Sequence, residues 1–132
     1  SRLRYGAYIL KDSEGDPDII LLASGSEVHI ALEATLQLLG KGVKARLVSM
    51  PSFELFRSNS DEYKNSILPP ACKKRVAIEA ATSSDWYEFV GLDGLIIGIG
   101  RFGASAPAKA LAEHYGFTVQ NILREINKKW CL

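Results

Sequence analysis

The residues with the clearest chemical potential form a Ser-Gly-Ser turn at positions 24–26. The turn follows an apolar run at 19–23 that reads as a buried strand, and a helical pattern begins at Glu27. Backbone N–H groups at a helix start lack intrahelical acceptors, and the helix dipole favours negative charge there. We therefore expect Ser26 to cap the helix. The alternative is that Ser24, Gly25 and Ser26 form a weak site for a small anion or nucleotide.

Two charged residues from other predicted strand ends are expected near this turn. Arg101 follows one strand and Glu79 ends another, and ligands of open α/β sheets bind in the crevice at the carboxyl ends of strands. Arg101 therefore joins the candidate anion site. Glu79 has no serine, cysteine, histidine or second carboxylate nearby in the sequence, so a catalytic role is not predicted for it. The turn also lacks the Gly-Lys-Ser/Thr ending of a Walker loop, so its sequence is not a specific signal for phosphate binding.

Two further patterns resemble binding motifs but lack essential members. The spacing Gly-x-Gly-x-x-Gly at 98–103 follows a strand, yet no later strand with an acidic end follows it. A glycine-rich loop whose backbone packs closely against its neighbours is predicted there, rather than a dinucleotide site. Carboxylates stand at every second position from Asp12 to Asp18, but the twelfth position is Ala23, where a calcium loop needs a glutamate. These carboxylates are expected to form an exposed, acidic hairpin tip.

The composition describes one globular domain with no broad charged surface. The 132 residues are 47% apolar and 23% charged, with a formal net charge of +1. Nucleic acid is therefore not an expected partner, and the Lys73-Lys74-Arg75 run is expected to be solvated. Apolar runs are only strand-sized, so no membrane span is predicted and a cytoplasmic location is expected. Cys72 and Cys131 have no metal-binding spacing and are expected to be free thiols.

Apolar patterning predicts that five strands and about four helices position these residues. The strands are expected at 6–10, 19–23, 44–49, 75–79 and 95–99, with the first two forming a hairpin. Helices are expected at 27–39, around 86–90, from Pro107 to Gly116, and from Thr118 to the end, with a short amphipathic stretch at 53–67. The fold class is α/β: a three-layer, doubly wound, five-stranded, mostly parallel sheet with its first strand as an antiparallel edge.

Seven segments, in order and spacing, resemble the C-terminal domain of transketolase. They are GAYIL at 6–10, ASGSEV at 23–28, VKARLVSMPS at 43–52, VAIEA at 76–80, WYEFVG at 86–91, FGASAPA at 102–108 and YGFTV at 115–119. Each is weak alone, but together they cover nearly the whole chain, so 1–132 is expected to be a single domain of that kind. The ending at 128–132 differs from the endings of the family.

The resemblance implies a piece of a longer homodimeric enzyme, cytoplasmic or plastid, that transfers two-carbon ketol units between sugar phosphates. Such an enzyme uses thiamine diphosphate and Mg or Ca, held by a Gly-Asp-Gly motif and an Asn in its N-terminal domain, while the activating glutamate lies in the middle domain. Here Asp93-Gly94 follows Leu92 instead of glycine. No catalytic, cofactor-binding or metal-binding residue is therefore assigned to this chain.

The leading hypothesis is a structural and dimer-interface domain of such an enzyme, inactive alone. A regulatory module that binds a small anion or nucleotide, and a free-standing interaction protein, are the alternatives.

Overall fold

The computed structural model describes residues 5–79, 84–98 and 108–132. Its strands are β1 (Tyr8–Lys11), β2 (Ile19–Ala23), β3 (Ala45–Ser49), β4 (Arg75–Glu79) and β5 (Leu95–Gly98). Its helices are α1 (Glu27–Gly40), α2 (Phe53–Arg57), α3 (Asp61–Ile67), α4 (Tyr87–Val90) and α5 (Ala108–Trp130), with a 3-10 turn at Ser84–Trp86 before α4.

The five strands form one sheet in the order β1-β3-β2-β4-β5, which confirms the predicted fold class. All neighbouring pairs run parallel except β1 and β3, which are antiparallel. Every residue of β2 and β3 is buried. Burial on both faces explains why β2 is an unalternating apolar run, as in parallel sheets covered by helices.

The predicted hairpin between the first two strands is wrong. Strand β1 pairs with β3, with Tyr8 opposite Ser49 and Ile9 opposite Val48. Both hydrogen-bonding edges of β2 are occupied by the parallel neighbours β3 and β4. The first strand therefore docks on the remaining edge of β3, as the predicted antiparallel edge strand.

Helices cover the two faces of the sheet and bury alternate residues of its strands. On one face, Leu21 of β2 packs in a core with residues of α1 and α5. On the other face, Leu22 packs with Phe56 of α2, Ile67 of α3 and Phe89 of α4. These two cores give the three layers of a doubly wound fold.

The prediction of two helices in the C-terminal part of the chain, divided at Gly116, is also wrong. Helix α5 runs unbroken through Gly116, so Gly116 does not end one helix and Thr118 does not cap another. A glycine inside a helix costs only about 1 kcal/mol relative to alanine. Burial of Val119, Ile122 and Ile126 against the sheet offsets that cost.

The amphipathic stretch expected at 53–67 contains two short helices, α2 and α3. Each begins with a serine whose hydroxyl accepts a backbone N–H: Leu55 N donates to Ser52 Oγ at 3.2 Å, and Tyr63 N to Ser60 Oγ at 3.2 Å. These caps satisfy donors at the two helix starts.

Candidate functional site

The Ser24–Ser26 turn lies at the topological switch point of the sheet. From β2 the chain passes through α1 to β3, and from β3 it returns through α2 and α3 to β4 on the opposite side of β2. The connections therefore diverge above β2 and β4, where open α/β sheets have their crevice. Gly25 has a φ of 61°, in the left-handed region that favours glycine. The turn is thus in the predicted place.

The hydrogen bonds of the turn differ from the predicted cap. Ser26 occupies the position before α1 but makes no side-chain bond to the helix N–H groups. Its hydroxyl instead donates to Glu27 Oε1 at 3.1 Å. A methyl group added at Gly25 would lie 3.7 Å from Glu27 Oε2, so this carboxylate lies beside the turn. The negative charge of Glu27 complements the helix dipole, and it also opposes a second anion.

Of the other two charged residues predicted here, the structure describes one. In the parallel register Ala23 lies opposite Ile78, so Ser24 and Glu79 come next on adjacent strands. Glu79 is buried, with only 7% of its surface exposed, at this edge of the sheet. Arg101 lies outside the described residues, as does most of the glycine-spaced segment at 98–103.

A cavity lies at the opposite, amino edge of the sheet. It has a volume of about 420 Å³ and includes Arg75, the first residue of β4, and the loop at 91–94 before β5. The expectation that the Lys73–Arg75 run is solvated is wrong for Arg75. Its guanidinium donates to the carbonyl oxygens of Cys72 at 2.9 Å, Phe89 at 2.7 Å, Leu68 at 3.2 Å and Pro69 at 2.9 Å.

A second arginine was also missed by sequence reasoning. Arg46 of β3 is 8% exposed and donates to both carboxylate oxygens of Asp12, at 2.9 and 3.2 Å. Its remaining bonds reach the carbonyl oxygens of Ser66 and Ile67, each at 3.0 Å. Asp12 is exposed, as expected, with 38% of its side chain accessible, and it is also the partner of a buried cation. An arginine within an otherwise apolar strand is the sequence signal for such a clamp.

The described residues do not fit the cofactor and metal that the resemblance implies for the whole enzyme. Among the side chains that the structure describes, at 5–79, 85–98 and 118–132, no three His, Cys, Asp or Glu residues cluster as metal ligands would. Asp93 lies in an exposed turn before β5, next to Leu92, which is 90% exposed. No chemical step is therefore derived through thiamine diphosphate or a metal on this chain. Among the described helices, none has the length and apolar character needed to cross a bilayer.

Comparison with known proteins gives a consistent set of relatives. The chain is 48% identical over 128 residues to the transketolase of Aquifex aeolicus, covering 97% of this chain and 19% of that protein. It is 51% identical over 118 residues to transketolase 2 of Vibrio parahaemolyticus, covering 89% of this chain and 18% of that protein. The chain thus spans under a fifth of the length of these relatives.

Solved structures agree with the sequence relatives. The transketolase of Campylobacter jejuni superposes with a TM-score of 0.77 at 35% identity, over 97% of this chain and 19% of that one. The Leishmania mexicana transketolase gives a TM-score of 0.76 at 35% identity, over 96% and 18%. The family model described as the transketolase-like TK C-terminal domain matches residues 6–118. The chain belongs to the family of transketolase C-terminal domains.

Proposed function

We propose that this chain is the C-terminal domain of a longer, thiamine diphosphate-dependent transketolase that transfers two-carbon ketol units between sugar phosphates. The observation that carries the proposal is the family match over residues 6–118, in a chain that spans 18–19% of its relatives. The pentose phosphate pathway or the Calvin cycle would use this activity, in the cytoplasm or a plastid. We also propose that residues 1–132 form one domain.

The role proposed for this chain is structural. It would pack against the remaining domains and the second subunit of a homodimer, while those domains supply the thiamine diphosphate and the Mg or Ca ion. The absence of a Gly-Asp-Gly motif around Asp93 supports this division of labour. The chain's own contribution is then a rigid sheet, with apolar cores on both faces, that presents fixed surfaces to its neighbours.

The experiment is an activity assay of the purified chain. With a ketose phosphate donor, an aldose phosphate acceptor, thiamine diphosphate and magnesium, we expect no ketol transfer. Turnover that follows this chain through successive purification steps would contradict the structural role. A transketolase added to the same assay mixture is the positive control.

A second proposal is that the Ser24–Ser26 turn, together with Arg101, binds a small anion or nucleotide. The absence of a side-chain cap from Ser26 favours it, because backbone N–H groups at the helix start then lack that acceptor. The carboxylate of Glu27 opposes it. We therefore propose weak binding, in the millimolar range.

A further inference from the structure

A cavity at the amino edge of the sheet lies on the opposite side from the Ser24–Ser26 turn. Its volume of about 420 Å³ falls within the roughly 300–1,000 Å³ that is typical of small-molecule sites. A smaller cavity of about 280 Å³ adjoins it, and both include Arg75, Phe89 and Leu68 in their walls. The two form one groove between α3, α4 and the start of β4.

The groove contains a cation that has no carboxylate partner in the described ranges of the chain. The guanidinium of Arg75 has five N–H donors, and its four hydrogen bonds all go to backbone carbonyls. One N–H, on Nη1, therefore takes part in none of these four bonds. Burial lowers the pKa of Arg75 below its ordinary value, because the charged form is partly removed from water. An anion in the groove would offset this cost.

The other charges of the cavity wall nearly cancel. The carboxylate of Glu88 accepts hydrogen bonds from Arg57 Nε at 2.7 and 2.8 Å, and Arg57 itself does not line the cavity. Lys73 and Asp93 contribute one charge of each sign. With Glu88 neutralised by Arg57 from outside the wall, the excess charge around the cavity is the positive charge of Arg75, which suits a monoanion better than a dianionic phosphate or a cation.

The wall also has an apolar part, which includes Leu68, Phe89, Val90 and Leu92. We propose that this cavity binds a small organic monoanion, with its carboxylate at Arg75 and Lys73 and an aromatic or branched body against Phe89 and Leu92. Neither the transketolase reaction nor the anion turn at Ser24–Ser26 accounts for such a site. Its ligand class is a monocarboxylate with an apolar body.

Phenylacetate is a suitable probe, with phenylacetamide and phenethylamine as neutral and cationic controls of the same shape. Backbone amide shifts of the chain are followed during each titration. We expect saturable shifts at Phe89 to Asp93 with phenylacetate, and binding of phenylacetamide weaker by about tenfold, the size of one charge-assisted hydrogen bond. No saturation, equal binding of the three probes, or shifts confined to Gly25 to Glu27 would overturn the proposal.

Two lysine variants distinguish specific binding of the anion in the cavity from its non-specific attraction to positive charge. Arg75 is left unchanged because it also holds four carbonyls of the fold. Lys73→Gln should weaken phenylacetate binding by about 2- to 5-fold, as expected for loss of an exposed ion pair. Lys74→Gln removes the same charge one residue away, outside the cavity wall, and should leave affinity unchanged. Equal weakening by both variants would contradict a specific site.

Discussion

Arg46 joins three parts of the chain through one buried side chain. Its guanidinium binds the Asp12 carboxylate and two carbonyl oxygens at the end of α3. Loss of a buried charge partner leaves polar groups without their hydrogen bonds, which is far costlier than loss of an exposed pair.

We expect Arg46→Ala to lower the free energy of unfolding by about 2–4 kcal/mol, measured by urea denaturation. The matched control is Arg57→Ala, because Arg57 forms a comparable pair with Glu88 but on the exposed surface. That variant should change stability little. If the two variants were equally stable, the clamp would contribute nothing beyond a surface ion pair.

The two cysteines are both free in the structure, but they differ in access. Cys72 is 7% exposed and lies in the core under α2–α4, whereas Cys131 is exposed. Burial raises the pKa of the Cys72 thiol, because the thiolate is disfavoured away from water. Since the thiolate is the reactive form, the two residues should differ in rate.

We predict that Cys131 reacts with Ellman's reagent quickly in the native chain and that Cys72 reacts slowly, with equal rates once the chain is unfolded. The folded chain holds the Cys72 proton to higher pH than the unfolded chain does. The free energy of unfolding should therefore fall as pH rises above the ordinary thiol range, and less so in Cys72→Ala. Equal native rates would show that Cys72 is not buried in solution.

At the level of elements, the close approach of the first strand to α2 depends on Gly6. Gly6 has a φ of 79°, and its carbonyl oxygen accepts a hydrogen bond from Ser52 N at 3.1 Å. A methyl group at this position would lie 2.4 Å from Phe56 N and from Ser52 O. These are backbone atoms, so the contact cannot be relieved by a side-chain rotation.

Gly6→Ala should therefore lower the free energy of unfolding by about 3 kcal/mol or more, through strain and overpacking together. Gly15→Ala is the control, because Gly15 has a φ of 77° but nothing within 4 Å of the added methyl group. It should cost about 1–2 kcal/mol, the conformational term alone. Similar costs for both variants in thermal or urea unfolding would mean that β1 does not pack this closely.

At the Ser24–Ser26 turn, anion binding depends on two opposing effects, the attraction of the helix terminus and the repulsion of the neighbouring Glu27 carboxylate, and a substitution can distinguish them. If Glu27 opposes anions, Glu27→Gln should tighten phosphate binding by about 2- to 5-fold, the size of a weak exposed charge interaction. The readout is the joint, saturable movement of the amide signals of Gly25, Ser26 and residue 27. Glu33→Gln removes the same charge further along α1 and should have less effect. No movement in any variant by tens of millimolar phosphate would leave the turn without an anion site.

The sequence predicted most elements well where local pattern and burial agree. The bounds of β2 and β4 match the expectations, and α1 ends one residue beyond its predicted end. The errors arose where long-range packing decides the structure. Pairing of β1 depends on which edge of β2 is already occupied, and continuity of α5 depends on burial of residues beyond Gly116.

The candidate sites show the same limit. The position of the Ser24–Ser26 turn at the sheet's carboxyl edge followed from the strand-to-helix pattern. The groove around Arg75 did not, because its walls come from α3, α4 and the loop before β5, which no local pattern connects. A cation bound mostly to backbone carbonyls has no sequence signature beyond its place at a strand start.

At the scale of the whole molecule, this chain has the fold of one domain, whereas the chemistry of its relatives is proposed to lie in other domains. The described residues form a five-stranded sheet with an apolar core on each face, yet the chain spans under a fifth of the relatives' length. The proposed role, an interchangeable and non-catalytic C-terminal domain of a transketolase, is the point that most needs a test.

The most direct test is a domain exchange with the Aquifex aeolicus transketolase, which is 48% identical to this chain over 128 residues. The chain replaces the aligned segment, and ketol transfer is compared with the parent enzyme and with a version from which that segment is deleted. The account predicts a dimeric chimera with kcat/KM within about tenfold of the parent, a difference of about 1.4 kcal/mol or less. A folded, dimeric chimera no more active than the deletion would contradict it.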